Sequence, residues 1–470
     1  MLLITLCAIA TQLSGAATAA SVHLESRDSP DLFDTRRYAN RDIIRRDVAV
    51  VGGGQTGTYA AINMRDRGQS VVVVERAGRL GGHEATYIDP ASGTPIDYGV
   101  QTYYNISVVT DFFGRFNVPL RNYSFSGVTT SFADFTTGNV LPNFSMNMSL
   151  GAYGAQLARY PRLAYSWDLP SPIPDDFFLP FGEFIEKYNL QDITYGMFTV
   201  LGGVANPPPL EQLTINIFKW LDQPYLDGIA GRSVVTERRN NGEIYTLATA
   251  ELGSDVLLSS TVTAAWRPRQ RSQGVKLVVR TPTGNKLIIA SRLLVTIPPL
   301  VQNMRPFGLD RDEFDLFNRF NYSGYYVGLV NNTGFANGQR FLNVNSNNLY
   351  GLPDLPGFYH FAPTSVNGTF LYWYGSPVEI SQQQVEAEVI AAVRRLNNGT
   401  TQPTLRTFSS HTPFKLVVEE DDIRSGFYER LWDLQGRRNT WYTGAAFLSH
   451  NCGGLWNYTH HLLPEVVAGL

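Results

Sequence analysis

The sequence predicts an α/β protein in which a parallel βαβ unit near the N-terminus founds one domain and a mixed-sheet α+β region forms a second. Three observations carry that reading. A short β-branched run, Val48 to Val51, ends in three consecutive glycines and gives way to helical spacing. A second apolar run, Ser70 to Glu75, follows the turn Arg67-Gly68-Gln69 and closes a βαβ unit of about thirty residues. Beyond it, residues 105–240 are aromatic and proline-rich, whereas residues 254–299 alternate short apolar runs with turns.

The glycines in Gly52-Gly53-Gly54-Gln55-Thr56-Gly57 are spaced G-x-G-x-x-G between the first strand and the helix. Gly52 permits the tight turn, Gly54 lets the backbone approach a pyrophosphate, and Gly57 lets the helix pack close to the strand. The helix N-terminus then stabilises phosphate charge. Glu75 ends the second strand eighteen residues after Gly57. A carboxylate there accepts hydrogen bonds from adenosine ribose hydroxyls and repels a 2′-phosphate, which argues against NADP. Glycine spacing alone would say little; strand, helix and carboxylate together make a dinucleotide site.

The next stretch, Arg76-Ala77-Gly78-Arg79-Leu80-Gly81-Gly82-His83, separates NAD from FAD. An NAD site has no need of a second glycine pair here, whereas an FAD-binding chain runs on along the longer cofactor. Gly81 and Gly82 let the backbone lie against pyrophosphate and ribitol, and Arg79 offsets phosphate charge. Asp97-Tyr98-Gly99 falls where another close approach is expected. The predicted cofactor is FAD.

The remaining elements follow in order. Val256-Leu257-Leu258, Thr261 to Trp266, Gly274 to Arg280, Lys286 to Ala290 and Leu293 to Ile297 read as strands, with a turn at Pro282-Thr283-Gly284-Asn285. Gly324 to Val330 and Phe370 to Tyr374 read as further strands and Phe181 to Tyr188 as a short helix. Gln382 to Leu396 reads as an amphipathic helix with Val385, Val389, Ala392 and Leu396 on one stripe. A last strand is expected near Thr440 to Thr443, and a helix from about Leu455.

Leu2 to Ala10 is apolar and uncharged, and Ala17-Thr18-Ala19 is a small-x-small cleavage pattern, so residues 1–20 read as a secretory signal. Residues 21–45 read as a polar leader, with the globular part opening at Arg46. No stretch is long enough for a membrane span. Asn-x-Ser/Thr sites stand at Asn105, Asn122, Asn143, Asn147, Asn321, Asn331, Asn367, Asn398 and Asn457. Together with the signal they predict a secreted or vacuolar, N-glycosylated protein. Of two cysteines, Cys7 lies in the signal, which leaves Cys452 without a partner for a disulfide. A net charge of -3 offers no basic excess for nucleic acid or an acidic membrane. No His, Cys, Asp or Glu spacing points to a metal.

Gly52-x-Gly54-x-x-Gly57, Glu75, Arg79-x-Gly81-Gly82 and Asp97-x-Gly99 resemble the flavin-containing amine oxidase superfamily. Within it, Gly81-Gly82-His83 and the ending Tyr442-Thr443-Gly444 resemble the fungal β-cyclopiazonate dehydrogenase family. The match is specific over residues 46–105 and looser over 435–470; between them only the order of segments agrees. The resemblance implies a glutathione-reductase-like FAD-binding domain of amine-oxidase type, made of residues 46–105, 235–300 and 430–470. Residues 106–234 and 301–429 would then form the substrate domain. It also implies that Val262 meets the adenine through its backbone and that Gly444 belongs to the C-terminal cofactor motif. A histidyl-linked flavin is implied as well, and His83 is the histidine in the flavin-binding segment. His83 therefore has two readings, a hydrogen-bonding residue beside the cofactor or the point of attachment to the flavin 8α-methyl, with Cys452 as a rival for attachment. Two departures stand against amine oxidation. Residues 300–305 lack the lysine that monoamine oxidases carry after the Pro-Pro, and Ala445 replaces the acidic residue that usually follows the glycine.

The expected activity is hydride transfer from a substrate C–H to flavin N5, followed by reoxidation by oxygen or another acceptor. The resemblance implies a small-molecule substrate, an apolar amine- or indole-bearing fungal secondary metabolite, with oxidation coupled to ring closure. A secreted amine or amino-acid oxidase making hydrogen peroxide, and a non-catalytic protein of the same fold, are the alternatives. The pattern singles out no catalytic base. Trp441 and Tyr442 are candidates for the flavin face and Phe370 to Tyr374 for an aromatic substrate face, whereas His450, His460 and His461 read as capping or surface residues.

Overall fold

Four consecutive valines, all buried, form a strand that is covered on both faces, as a parallel α/β sheet requires. They are β2 (Val71–Val74), which pairs in parallel with β1 (Ile43–Val51) across α1 (Gln55–Asp66). The computed structural model describes residues 30–124 and 127–470, so the expected signal lies outside the described residues. The strand order of the first sheet is Val256–Leu257, β2, β1, Gly284–Val295, Val275–Thr281, Thr261–Trp266. Gly284–Val295 runs parallel to β1 and antiparallel to Val275–Thr281, and Thr440–Tyr442 joins its upper end in parallel. A three-stranded antiparallel meander thus extends a parallel βαβ core.

Three boundaries differ from the sequence reading. The strand β1 opens at Ile43, and residues 30–42 form short 3-10 turns that bury Phe33 against Val278 and Leu287. The described part of the supposed leader is therefore integral to the fold. Arg45 and Arg46 concealed this, because a charged side chain on a strand's surface does not prevent its backbone from pairing, here with Ile289 and Ala290; Arg46 is ion-paired with Asp255. Lys286 to Ala290 and Leu293 to Ile297 are one strand, Gly284–Val295, in which Arg292 lays its guanidinium over the Trp441 ring. Finally, the helix Ser107–Arg115, assigned to the substrate domain, packs on the first domain: Phe112 meets Tyr59 of α1 at 4.9 Å and Trp456 of the C-terminal helix Cys452–Val467 at 4.9 Å.

The second sheet has the order Thr404–Ser410, Asn321–Asn331, Thr369–Ser376, Gly357–Pro363, Gln339–Asn343, Thr129–Ala133, with Phe414–Val417 beside Asn321–Asn331. The helix Gln382–Leu396, capped by the Ser381 hydroxyl, buries Val385, Val389, Ala392 and Val393 against Tyr326, Phe370, Tyr372 and Tyr374 on one face. The other face carries Tyr325, Val327, Tyr359 and Phe414, packed with Tyr195 and Phe198. Among the described residues no helix is long and apolar enough to cross a membrane.

Candidate functional site

The glycine loop divides into residues the protein needs and one it does not. Gly52 has φ +104, which an L side chain rarely adopts, and a Cβ there would sit 2.5 Å from Thr296 Oγ1. A Cβ on Gly57 would lie 1.9 Å from the Gly52 carbonyl oxygen, so α1 packs against the turn only because nothing intervenes. Gly54 has an ordinary φ of −65 and its Cβ would meet only Gly82 Cα, at 3.8 Å. It faces open space at the N-terminus of α1.

The second glycine pair closes over this cradle. The Gly81 N–H donates to the Gly53 carbonyl at 2.8 Å, and Gly81 and Gly82 have φ +110 and +57. A Cβ on Gly82 would meet Gly54 Cα at 2.9 Å. A Cβ on Gly99 would lie 2.1 Å from the His83 carbonyl oxygen, so the close approach expected of Gly99 is made to the His83 backbone. Glu75 stands at the end of β2, where Oε2 accepts from the Gly53 N–H at 2.6 Å and Oε1 from the Ala77 N–H at 2.7 Å. A carboxylate has about four acceptor positions, so ribose hydroxyls still find partners. Arg79 donates to the Leu80 and Gly82 carbonyls at 3.0 and 3.1 Å and props the loop, with its side chain at the surface.

The other two predicted cofactor contacts come from distant segments. Ser260 N–H donates to the Glu75 carbonyl at 2.8 Å, which holds the start of Thr261–Trp266 beside the ribose end. Val262 lies on that edge strand, paired with Val279 on one side. Gly444, with φ +113, follows Thr440–Tyr442, and its Cβ would meet the Thr296 carbonyl at 3.1 Å. Gly52, Thr296 and Gly444 therefore adjoin at one end of the sheet. An elongated dinucleotide fits this set: open space at Gly54, a helix N-terminus, a carboxylate at the ribose position, and a glycine track leading to His83.

At the end of that track the structure assembles a cluster that the sequence did not show. The His83 ring stacks on His411 at 4.3 Å and 10°, and His450 lies parallel to it at 6.2 Å and 6°. Phe414 packs against His450 at 4.0 Å, and the Lys415 amine sits on the face of Trp220. His83 is partly exposed to the space it lines yet ringed by protein; burial, with Arg76 and Arg79 nearby, lowers its pKa to about 4. His411 and His450 are held well below the usual histidine range, first by burial. His450 is thus a site residue and not a surface one, whereas His460 bonds Tyr59 and His461 meets the Asn457 carbonyl of its own helix. Phe370 to Tyr374 splits by strand alternation: Phe370, Tyr372 and Tyr374 face the covering helix, whereas Leu371 and Trp373 turn to the opposite face, Trp373 against His360 at 4.3 Å. The side chains of Trp441 and Tyr442, the candidates for the flavin face, both have partners within the protein. Trp441 packs under Arg292, and the Tyr442 hydroxyl donates to Glu313 at 2.7 Å.

Glu84, next to His83, was also missed. It is fully buried, accepts from the Tyr103 hydroxyl at 2.9 Å, and is raised well above the usual carboxyl range by burial and by Asp97. Cys452 lies in the same region; burial pushes its thiol up to about 12.

The chain has relatives among known proteins. Residues 50–116 match the NAD(P)-binding Rossmann-like domain family. The chain is 43% identical over 450 residues to the FAD-dependent oxidoreductase dbaF of Emericella nidulans, covering 94% of this chain and 95% of that one. It is 39% identical over 461 residues to the FAD-dependent oxidoreductase pigF of Monascus ruber, covering 96% and 98%. It is 33% identical over 444 residues to β-cyclopiazonate dehydrogenase of Aspergillus oryzae, covering 91% and 94%. Among solved structures, a CLA-producing fatty acid isomerase from P. acnes superposes with TM-score 0.71 at 15% identity, covering 90% of this chain and 99% of that one. Putrescine oxidase superposes with TM-score 0.63 at 14% identity, covering 91% and 100%. At such identities these two show a shared fold and nothing more.

Proposed function

The chain belongs to the family of fungal FAD-dependent oxidoreductases that includes β-cyclopiazonate dehydrogenase, and from that membership we propose that it oxidises an apolar secondary metabolite beside an FAD attached covalently to His83. FAD supplies the hydride acceptor. The protein supplies the cradle that orients the cofactor, and Trp220, Tyr325, Trp373 and Phe414 pack against one another beside His83 as an apolar wall that would keep water from the reacting carbon. The observation that carries the attachment is His83 itself. It ends the Gly81-Gly82 track, makes no side-chain hydrogen bond among the described residues, and is neutral at pH 7, so a ring nitrogen lone pair is free to bond carbon. Cys452 is a poor rival, because a thiol held near 12 has almost no thiolate at neutral pH.

Acid precipitation tests this. Yellow colour is expected to stay with the wild-type polypeptide and to be released from His83→Ala, which still binds FAD through the cradle. Colour released from the wild type refutes the linkage. Dioxygen is taken as the electron acceptor, so anaerobic turnover is expected to stop after one reduction of the flavin, and aerobic turnover to yield hydrogen peroxide.

A secretory route is part of the same proposal. Seven of the nine sequon asparagines are exposed: Asn105, Asn122, Asn143, Asn147, Asn321, Asn367 and Asn398. Oligosaccharyl transfer needs such access. Protein from its own host is expected to lose several kilodaltons on endoglycosidase treatment; an unchanged mass counts against a secretory route.

A further inference from the structure

His83 is tied by its backbone and untied in its side chain. The Glu84 N–H donates to the Gly81 carbonyl at 3.0 Å, and Gly99 packs on the His83 carbonyl, where a Cβ would lie at 2.1 Å. The His83 imidazole makes no hydrogen bond among the described residues. A histidine ring is ordinarily aimed by a hydrogen bond to one of its nitrogens; here neighbouring rings do it instead. His411 lies face to face with His83 at 4.3 Å and 10°. His450, parallel at 6.2 Å, and Phe414, tilted by 43° at 5.9 Å, are more distant.

His411 is itself held from the second sheet. It follows the strand Thr404–Ser410, and its N–H donates to the Tyr325 carbonyl at 2.8 Å. The Tyr325 N–H in turn donates to the hydroxyl of the next residue, Thr412, at 3.2 Å. The Tyr325 ring stands on edge against the His411 ring at 5.6 Å and 66°, and His411 is only 3% exposed. A ring so enclosed has little room to swing away from His83. His450, by contrast, comes from the loop before the C-terminal helix and rests on Phe414 at 4.0 Å. Three protonated imidazoles this close would repel one another. Burial keeps all three neutral at pH 7, so the rings pack without that repulsion.

We infer that His411 is the positioning residue for flavin attachment: its ring face holds the His83 imidazole in one plane and so fixes the direction in which a ring nitrogen can bond carbon. The inference rests on the proposed linkage through His83. The overall step balances with dioxygen. An imidazole N–H and a C–H of the 8α-methyl are lost and one N–C bond forms. The two electrons and two protons released pass through the flavin ring to dioxygen, which becomes hydrogen peroxide. Without the stack the imidazole turns about its Cβ–Cγ bond, a torsion with broad wells. Its nitrogen then spends less time in line with the carbon it must bond. His83 belongs to the glycine track and His411 to the second sheet, so attachment requires the two sheets to be docked.

The rate of attachment tests this. Flavin-free protein, obtained by expression under riboflavin limitation, is mixed with FAD in aerated buffer, and the flavin that survives acid precipitation is followed in time. His411→Leu fills the volume without a flat ring and is expected to slow attachment by about 10-fold or more. Its affinity for FAD before attachment, read from quenching of flavin fluorescence, is expected to match wild type, because the glycine cradle is untouched. His411→Phe restores a flat ring without a nitrogen and is expected to attach within about 3-fold of the wild-type rate. His411→Ala is expected to be as slow as His411→Leu and takes its place if that variant does not fold. His450→Leu, at the more distant ring, is expected to stay within about 3-fold of wild type. The inference is overturned if His411→Leu and His411→Ala attach at the wild-type rate. It is also overturned if His411→Phe is as slow as His411→Leu, which would make His411 a proton acceptor and not a positioning ring. Wild-type flavin that never resists acid refutes the linkage through His83 and this inference with it; wild-type attachment that the His411 variants leave unchanged refutes this inference alone.

Discussion

Arg267→Met is expected to lower stability by about 3–5 kcal/mol, because it strands a buried carboxylate. The Arg267 side chain is 0% exposed and its partner Glu313 2%. Its Nε donates to the Phe307 carbonyl at 2.7 Å, and its two terminal nitrogens donate to the two Glu313 oxygens at 2.8 Å each. The Tyr442 hydroxyl donates to Glu313 Oε1 at 2.7 Å, and Arg438 reaches Oε2 at 3.3 Å. Glu313 also closes a capping box with Asp310 at the start of the helix Arg311–Phe317. With the guanidinium gone, Arg438 is the remaining cation beside Glu313, at a longer distance, and the Phe307 carbonyl loses its donor. Urea midpoints check the loss, and Arg267→Met/Glu313→Leu is expected to regain most of it, because the cost lies in the unpaired charge. A loss below about 1 kcal/mol in the single variant would mean that water reaches Glu313. The network also fixes Thr440–Tyr442, the strand that delivers Gly444 beside Thr296, so flavin retention is expected to fall with stability.

Legibility in the sequence followed locality. The βαβ unit was readable because Gly52, Gly54, Gly57 and Glu75 meet their requirements within one short stretch. The meander strand Thr261–Trp266 and the helix Gln382–Leu396 were readable because each carries its own periodicity. The strand Gly284–Val295 looked like two because Ser291 and Arg292 interrupt its apolar run, although backbone pairing continues through them to β1. Several strands of the second sheet, such as Gly357–Pro363 and Thr404–Ser410, went unmarked, since edge exposure and a bulged register blur the alternation. The glycine cradle was therefore visible and the histidine cluster at its end was not. His83 lies some three hundred residues before His411 and His450, and only tertiary packing stacks the three rings.

Gly54→Val is expected to keep the fold and empty the site, the reverse of Gly57→Ala. At Gly57 the obstacle is the protein, since a Cβ would lie 1.9 Å from the Gly52 carbonyl and α1 must move away. At Gly54 the backbone is in a region any residue adopts, and a Cβ would touch nothing closer than Gly82 Cα at 3.8 Å. The chain's own packing therefore does not demand glycine there; what demands it is the space in front of the α1 amides, where a pyrophosphate would lie. Valine fills that space and removes the phosphates from the helix N-terminus. In the His83→Ala background, where flavin exchanges freely, affinity for FAD is expected to fall by about 100-fold or more, corresponding to about 2.7 kcal/mol. The melting temperature of the flavin-free protein is expected to stay within about 2 °C, because no native contact is lost. Gly57→Ala is expected to lower that temperature whether or not flavin is present. The ratio of flavin to protein absorbance and a melt of the stripped protein separate the two cases. Full flavin occupancy in Gly54→Val would show that the cofactor does not cross the loop at this residue, and Glu75 and the Gly81-Gly82 track would then have to place it alone.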